Sequence, residues 1–243
     1  MTGASRGIGA AIARRLAVDG YAVACAATSV ANAVGVADEI AGDGARRAMP
    51  IEIHVQDADS VERGVDAIED VLGPITLLVN NAGINRVAPV HEQSVEDFDA
   101  VLDVNLRGVF ICSHFVSRKM VGAGSPGSIV NIGSVAGIDG FPGRSAYGAA
   151  KAGVLGLTRS QAEAWSSRGV TVNCVIPGFV RTAMTERLFV EQPERAEALA
   201  ARTMIGRNGR PDDFAGVAVF LCSDAAAFVT GQVLAVDGGF SAT

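Results

Sequence analysis

Thr2-Gly3-Ala4-Ser5-Arg6-Gly7-Ile8-Gly9 runs without a break into Ala10-Ala11-Ile12-Ala13-Arg14-Arg15-Leu16-Ala17, so three glycines sit where a loop becomes a helix. Glycine lets the backbone come close to a pyrophosphate, and a helix N-terminus offers it unpaired N–H groups and positive potential. By itself such a loop is equally an ordinary tight turn. Its Gly-x-x-x-Gly-x-Gly spacing also departs from the usual Gly-x-Gly-x-x-Gly of dinucleotide folds. The rest of the chain has to decide.

Beyond the loop, short apolar runs alternate with amphipathic stretches to the end of the chain, the signature of repeated βα units and a parallel sheet. Strands are predicted at 21–27, 48–55, 76–80, 128–133, 170–175 and 232–236, and helices at 10–18, 59–72, 145–165 and 211–222. Ser94 before Glu96 and Asp97, and Pro211 before Asp212 and Asp213, mark two helix starts. The expected fold is an α/β, Rossmann-like, doubly wound parallel sheet with helices on both faces, one domain over residues 1–243. The segment 182–208 is inserted between a strand and the Pro211 helix, where it is expected to cover a site.

Composition narrows the function. Hydrophobic residues make up 49% and charged residues 19% of 243, a balance suited to a sheet buried on both faces. A net charge of −6 offers no general basic field for nucleic acid or an anionic membrane, which favours a small-molecule partner. Cys25, Cys112, Cys174 and Cys222 form no CxxC pair, so neither a zinc site nor a disulfide framework is expected. No apolar run is read as approaching the roughly 20 residues of a membrane helix. The expected location is the cytoplasm, with no metal.

Tyr147 and Lys151 are four residues apart in a helical pattern, so both project from one face. An ammonium near a phenol favours the phenolate and moves its reference pKa of about 10 toward the range of an acid/base catalyst. Ser134 ends an apolar strand thirteen residues before Tyr147, and strand C-termini are where sites form in this architecture. Asn105 lies in an apolar helix, an expensive place for an amide unless it finds partners.

The loop resembles the TGxxxGIG fingerprint of the short-chain dehydrogenase/reductase family. The resemblance extends through Asn80-Asn81-Ala82-Gly83, Ser134, Tyr147-x-x-x-Lys151 and Pro177-Gly178 to Val236-Asp237-Gly238-Gly239. It implies a hydride transfer between a nicotinamide cofactor and a carbonyl or secondary alcohol. Tyr147 would give a proton to the substrate oxygen, Ser134 would hydrogen-bond that oxygen, Lys151 would contact the nicotinamide ribose, and Asn105 would hold a water linking Lys151 to solvent. Gly3, Ser5, Arg6, Gly7, Ile8 and Gly9 would form the pyrophosphate loop. Asn81, Ala82, Gly83, Pro177, Gly178, Val180 and Thr182 would line the cofactor, as would Tyr147 and Lys151. Asn80 would stabilise the sheet.

About 20 residues past the glycines, a site for NAD carries an acid for the ribose 2′-OH. Here Ala26-Ala27-Thr28-Ser29 offers none, whereas Thr28, Ser29 and Arg6 have donors or charge for a 2′-phosphate, so NADP(H) is expected. The competing reading makes Arg6 a solvated loop residue and Thr28-Ser29 a helix cap. His54-Val55 stands where the family places an Asp-Val pair against adenine.

Within the family the pattern is closest to 3-oxoacyl-acyl-carrier-protein reductases, so the leading substrate is a 3-oxoacyl thioester or similar ketone. The alternatives are an NAD-dependent alcohol or polyol dehydrogenase and a non-catalytic cofactor-binding regulator. The resemblance also implies a homotetramer. The glycine loop should follow a strand, yet only Met1 precedes Thr2, so the first strand is absent from this stretch. The natural chain is therefore expected to begin upstream.

Overall fold

Short runs rich in valine, isoleucine and alanine become strands because both of their faces are covered by helices. A computed structural model describes residues 1–42, 44 and 47–242. Its strands are β1 (Val23–Ala27), β2 (Ala48–Glu52), β3 (Leu77–Asn80), β4 (Gly127–Ile132), β5 (Val170–Pro177) and β6 (Val233–Val236), and every pairing among them is parallel. All six predicted strands are present, with shifted ends. The second stops at Glu52 because Ile53 N still reaches Ala27 O but His54 N turns to Ser60 Oγ at 3.0 Å. The fifth runs on to Pro177 because β6 pairs with its last four residues.

The helices are α1 (Gly7–Val18), α2 (Val30–Ala41), α3 (Ala58–Leu72), α4 (Val95–Leu102), α5 (Gly108–Ala123), α6 (Ser145–Trp165), α7 (Glu186–Glu191), α8 (Pro193–Arg202) and α9 (Ala215–Cys222). Ser94 caps α4 by accepting from Asp97 N at 3.0 Å, as its sequence indicates. The Pro211 start is a 3-10 turn over 211–214 before α9, held by Asp213, which accepts from Arg210 N at 2.7 Å. Ile12 and Leu16 of α1, Val36 and Ile40 of α2 and Leu221 of α9 pack on one side of the strands. Val61 and Val65 of α3 with Ile111, Val116 and Met120 of α5 pack on the other.

The strands form two sheets rather than one continuous sheet: β1-β2, and β3-β4-β5-β6. Met1 and Thr2 stand between them. Ala26 N donates to Met1 O (3.0 Å), Thr2 N to Val79 O (3.0 Å) and Ala4 N to Ala26 O (3.1 Å), so this short stub joins both sheets near their C-terminal ends. Beside it, a cavity of about 180 Å³ lies between the facing edges, lined by Val23, Ala24, Leu77, Leu78 and Cys112.

One expectation needs correction. The continuous helical run 95–123 is long and apolar enough to cross a membrane by length and composition, although half of that window is buried inside the fold. Ile111, Cys112, Val116 and Met120 make it a core helix. The four cysteines are free and buried. Burial pushes the thiols of Cys112 and Cys222 up to about 12 and that of Cys174 to about 11, so they remain protonated and act as small apolar side chains.

A buried polar relay ties the sheet to α5 and α6. Asn80 Nδ2 donates to Ser113 Oγ (3.0 Å) and Asn131 Oδ1 (2.9 Å), and Asn131 Nδ2 donates to Thr158 Oγ1 (2.9 Å). An Asn131→Ala variant is expected to strip Asn80 of an acceptor and lose about 2 kcal/mol or more. For a chain of this size that lowers the melting temperature by roughly 4–8 °C, measurable by calorimetry.

Candidate active site

The C-terminal ends of β1, β3, β4 and β5 open into a cleft of about 700 Å³. At one end lies the glycine loop. Gly3 and Gly7 have φ of +62° and +58°, in the left-handed region that favours glycine. A Cβ on Gly3 would lie 2.8 Å from Asn81 Nδ2, and one on Gly9 would overlap the Gly3 carbonyl oxygen. Gly9 is thus a packing residue beneath the loop, not part of the cleft wall. The N-cap of α1, Arg6, makes no side-chain cap bond, which leaves the first-turn N–H groups for a ligand.

Thr2 fastens this loop to the next one, a role its sequence position does not reveal. Its Oγ1 accepts from Asn81 N (3.0 Å) and Ala82 N (3.1 Å), while Asn81 Nδ2 donates to Thr2 O (3.2 Å) and Gly3 O (3.0 Å). Gly3, Ser5, Arg6, Gly7, Ile8, Asn81, Ala82 and Gly83 all line the cleft. Across from the loop stand Pro177, Gly178, Val180 and Thr182.

Two expected cofactor residues lie elsewhere. Ser29 accepts from Asn32 N at 3.3 Å as the N-cap of α2 and does not line the cleft, whereas Thr28 and Asn32 do. His54 turns toward Glu52, Nε2 to Oε1 3.2 Å, while Val55 and Gln56 face the cleft.

At the other end Ser134, Tyr147 and Lys151 meet. Ser134 follows β4, and its Oγ accepts from Ala136 N at 3.1 Å. Tyr147 and Lys151 share one face of α6, with Lys151 Nζ 5.7 Å from the Tyr147 ring centroid. Lys151 is only 3% exposed and donates to Ile132 O at 2.7 Å. Among the described residues its other two ammonium protons have no side-chain or backbone partner, which suits a polar ligand in the cleft.

Asn105 does not line the cleft. It sits in a π-helical turn, Asp103–Arg107, between α4 and α5, where its Oδ1 accepts from Ile84 N (2.8 Å) and its Nδ2 donates to Ile84 O (2.7 Å). Its side-chain amide thus clamps the turn after Gly83. Asn105 is therefore a positioning residue for that wall, and a π turn at a site is a common device.

The inserted segment contributes only its first residues, Thr182, Ala183, Met184 and Thr185, to the cleft wall. Arg181 pairs with Glu186 at 2.8 Å and so anchors the start of α7. Leu188 packs into the core, and Met204 is exposed. Phe179, with Phe141 and Arg144, which the sequence reading passes over, completes the wall beside Tyr147. The one available signal was the place of Arg144, three residues before Tyr147.

A glycine-cradled anion site and a Ser-Tyr-Lys cluster at opposite ends of one cleft define a class, the nicotinamide-dependent oxidoreductases. The sequence profile described as enoyl-(acyl carrier protein) reductase matches residues 3–241. A 3-oxoacyl-[acyl-carrier-protein] reductase of Synechocystis sp. is 45% identical over 242 residues, covering 98% of this chain and 94% of its own length. The cis-4-hydroxycyclohexanecarboxylate dehydrogenase of Sinomonas cyclohexanicum is 42% identical over 247 residues, covering 100% of this chain and 95% of its own. The solved gluconate 5-dehydrogenase of Burkholderia cenocepacia, in complex with NADP and tartrate, superposes with a TM-score of 0.94 at 36% identity, over 100% of this chain and 94% of that one. The chain belongs to the short-chain dehydrogenase/reductase family and is an NADP-dependent oxidoreductase.

Proposed function

We propose that this protein reduces a ketone to a secondary alcohol, with a 3-oxoacyl thioester or a similar ketone as substrate. The observation that carries the reading is the convergence of Ser134, Tyr147 and Lys151 on one end of a cleft whose other end is a glycine-lined helix N-terminus. Bound NADPH supplies the hydride to the carbonyl carbon. Tyr147 gives its phenolic proton to the carbonyl oxygen, and the Ser134 hydroxyl donates to the same oxygen. Lys151, held by Ile132 O, places a positive charge beside the tyrosine oxygen that is left negative. Asn105 keeps the Gly83–Asn85 wall in place through Ile84.

Arg6 lines the cleft and, among the described residues, has no carboxylate partner. With Thr28 and Asn32 close to it in the wall, it supports a 2′-phosphate and hence NADPH over NADH. Apolar side chains left exposed on α4 and α5, Val95 at 69% and Phe110 at 51%, support assembly as a homotetramer. The setting proposed is the cytoplasm.

The test is a set of reductions of acyl thioesters, keto esters and cyclic ketones with each cofactor. Turnover of at least one ketone with NADPH, at a kcat/KM about tenfold or more above that with NADH, is expected. Oxidation of alcohols with NAD alone would favour the polyol dehydrogenase alternative. The named relatives divide over substrate: one acts on a carrier-bound oxoacyl group, while two are named for hydroxylated carboxylates.

A further inference from the structure

Several arginines of this chain are paired with carboxylates: Arg14 with Glu39, Arg181 with Glu186, Arg187 with Glu191, Arg202 with Asp139 and Arg207 with Asp213. Among the described residues Arg144 has no such partner, although it is the arginine beside Tyr147. It is partly buried in the cleft wall at the N-terminus of α6, three residues before Tyr147. Its guanidinium lies 5.5 Å from the centroid of the Phe179 ring, with Phe141 packed edge-on to that ring at 5.4 Å. Neither ring can accept a salt bridge. Asp139, on the loop that precedes α6, is taken by Arg202 at 3.3 Å.

A second cation adds to the imbalance. Arg195 of α8 is near enough for its charge to act on Arg144, and its own side chain donates to Gln192 Oε1 at 3.1 Å. Burial, opposed by the phenol of Tyr147 and reinforced by Arg195, disfavours the charged guanidinium, yet no carboxylate contributes. A partly desolvated guanidinium without an anion is an unfilled demand for one, because only a counter-charge recovers the solvation it has lost.

We propose that Arg144 binds the carboxylate of the substrate, so that the site takes ketones carrying a free carboxylate a few bonds from the reacting carbonyl and prefers them to their neutral esters. This rests on the reading of the cleft as that of a ketone reductase. Arg144 is rigid, planar and bidentate toward carboxylate, and Phe141 and Phe179 provide an apolar floor for the carbon chain between the two oxygens it separates. A carrier-bound thioester presents no charge at this distance from its ketone. For this chain the free oxo acid is the better fit.

The experiment compares 3-oxohexanoate with methyl 3-oxohexanoate, and 4-oxopentanoate with its methyl ester, using NADPH and the wild-type, Arg144→Gln and Arg144→Lys proteins. The readout is the ratio of acid to ester kcat/KM within each preparation, which misfolding of part of the sample does not alter. Calorimetric binding of 4-hydroxypentanoate, the product carboxylate, is measured alongside. The wild type is expected to favour the acid in at least one pair by about tenfold or more, and Arg144→Gln to lower that ratio by about tenfold to a hundredfold and weaken 4-hydroxypentanoate binding, with Arg144→Lys in between. Equal or ester-favouring turnover in both pairs, or a ratio unchanged in Arg144→Gln, overturns the proposal. If esters or a 3-oxoacyl N-acetylcysteamine thioester are reduced while the acids are not, the carboxylate proposal alone falls. If none of these ketones is reduced, the reductase reading falls with it.

Discussion

Tyr147→Phe is expected to lower kcat for carbonyl reduction by about 10² to 10⁴, the usual contribution of a positioned proton donor. The substitution removes one hydroxyl and keeps the ring, so its packing on α6 and its place beside Lys151 are retained. What disappears is the proton that neutralises the alkoxide as hydride arrives. The Ser134 hydroxyl is a poor substitute, because an aliphatic alcohol is a far weaker acid than a phenol and lends a hydrogen bond without giving up its proton. NADPH oxidation followed at saturating ketone, with fluorescence titration of NADPH as the binding control, separates loss of chemistry from loss of cofactor. A variant retaining more than a tenth of wild-type kcat would count against the acid role of Tyr147.

The second large effect is expected from Arg6→Glu. Charge-assisted hydrogen bonds of a guanidinium to a phosphate contribute about 1.5–3 kcal/mol, and a carboxylate in its place adds repulsion of about 1 kcal/mol at a solvated site. The sum corresponds to a fall of roughly 10² to 10³ in kcat/KM with NADPH, at 1.4 kcal/mol per factor of ten. NADH has no 2′-phosphate, so its kcat/KM should move far less, and the NADPH/NADH ratio is the quantity to measure. Parallel losses with both cofactors would show that Arg6 acts on the loop as a whole.

The residues proposed to carry the chemistry were legible because each is tied to a local pattern. The spacing of Tyr147 and Lys151 puts both on one helix face whatever surrounds α6, and the glycines of the loop answer to φ values that only their own backbone needs. The places of Ser29 and His54 were less legible. A serine before a helix reads alike as a phosphate donor or an N-cap, and in the fold its Oγ accepts from Asn32 N. His54 lies just past the end of β2, where its ring meets Glu52, a contact that its place in the sequence does not announce.

Asn105 shows a different limit. Its cost in an apolar helix announced that its amide must have partners, but not that both would be the backbone of Ile84, twenty-one residues earlier. Arg144 is the sharper case. Several arginines find acids at the surface, and nothing local distinguishes this one. Its isolation is a sum over everything nearby, including an Asp139 already engaged and aromatic rings from three separate segments.

From residue order alone come the alternating βα pattern, the anion-binding loop and the catalytic cluster, since helical and strand periodicity, glycine conformation and four-residue spacing are properties of short stretches of chain. The clamp on Ile84 and the guanidinium beside Tyr147, without a carboxylate partner among the described residues, depend on contacts between segments far apart in the chain. Burial, pairing and the absence of a counter-charge are relations among those segments, so they exist only once the chain has folded.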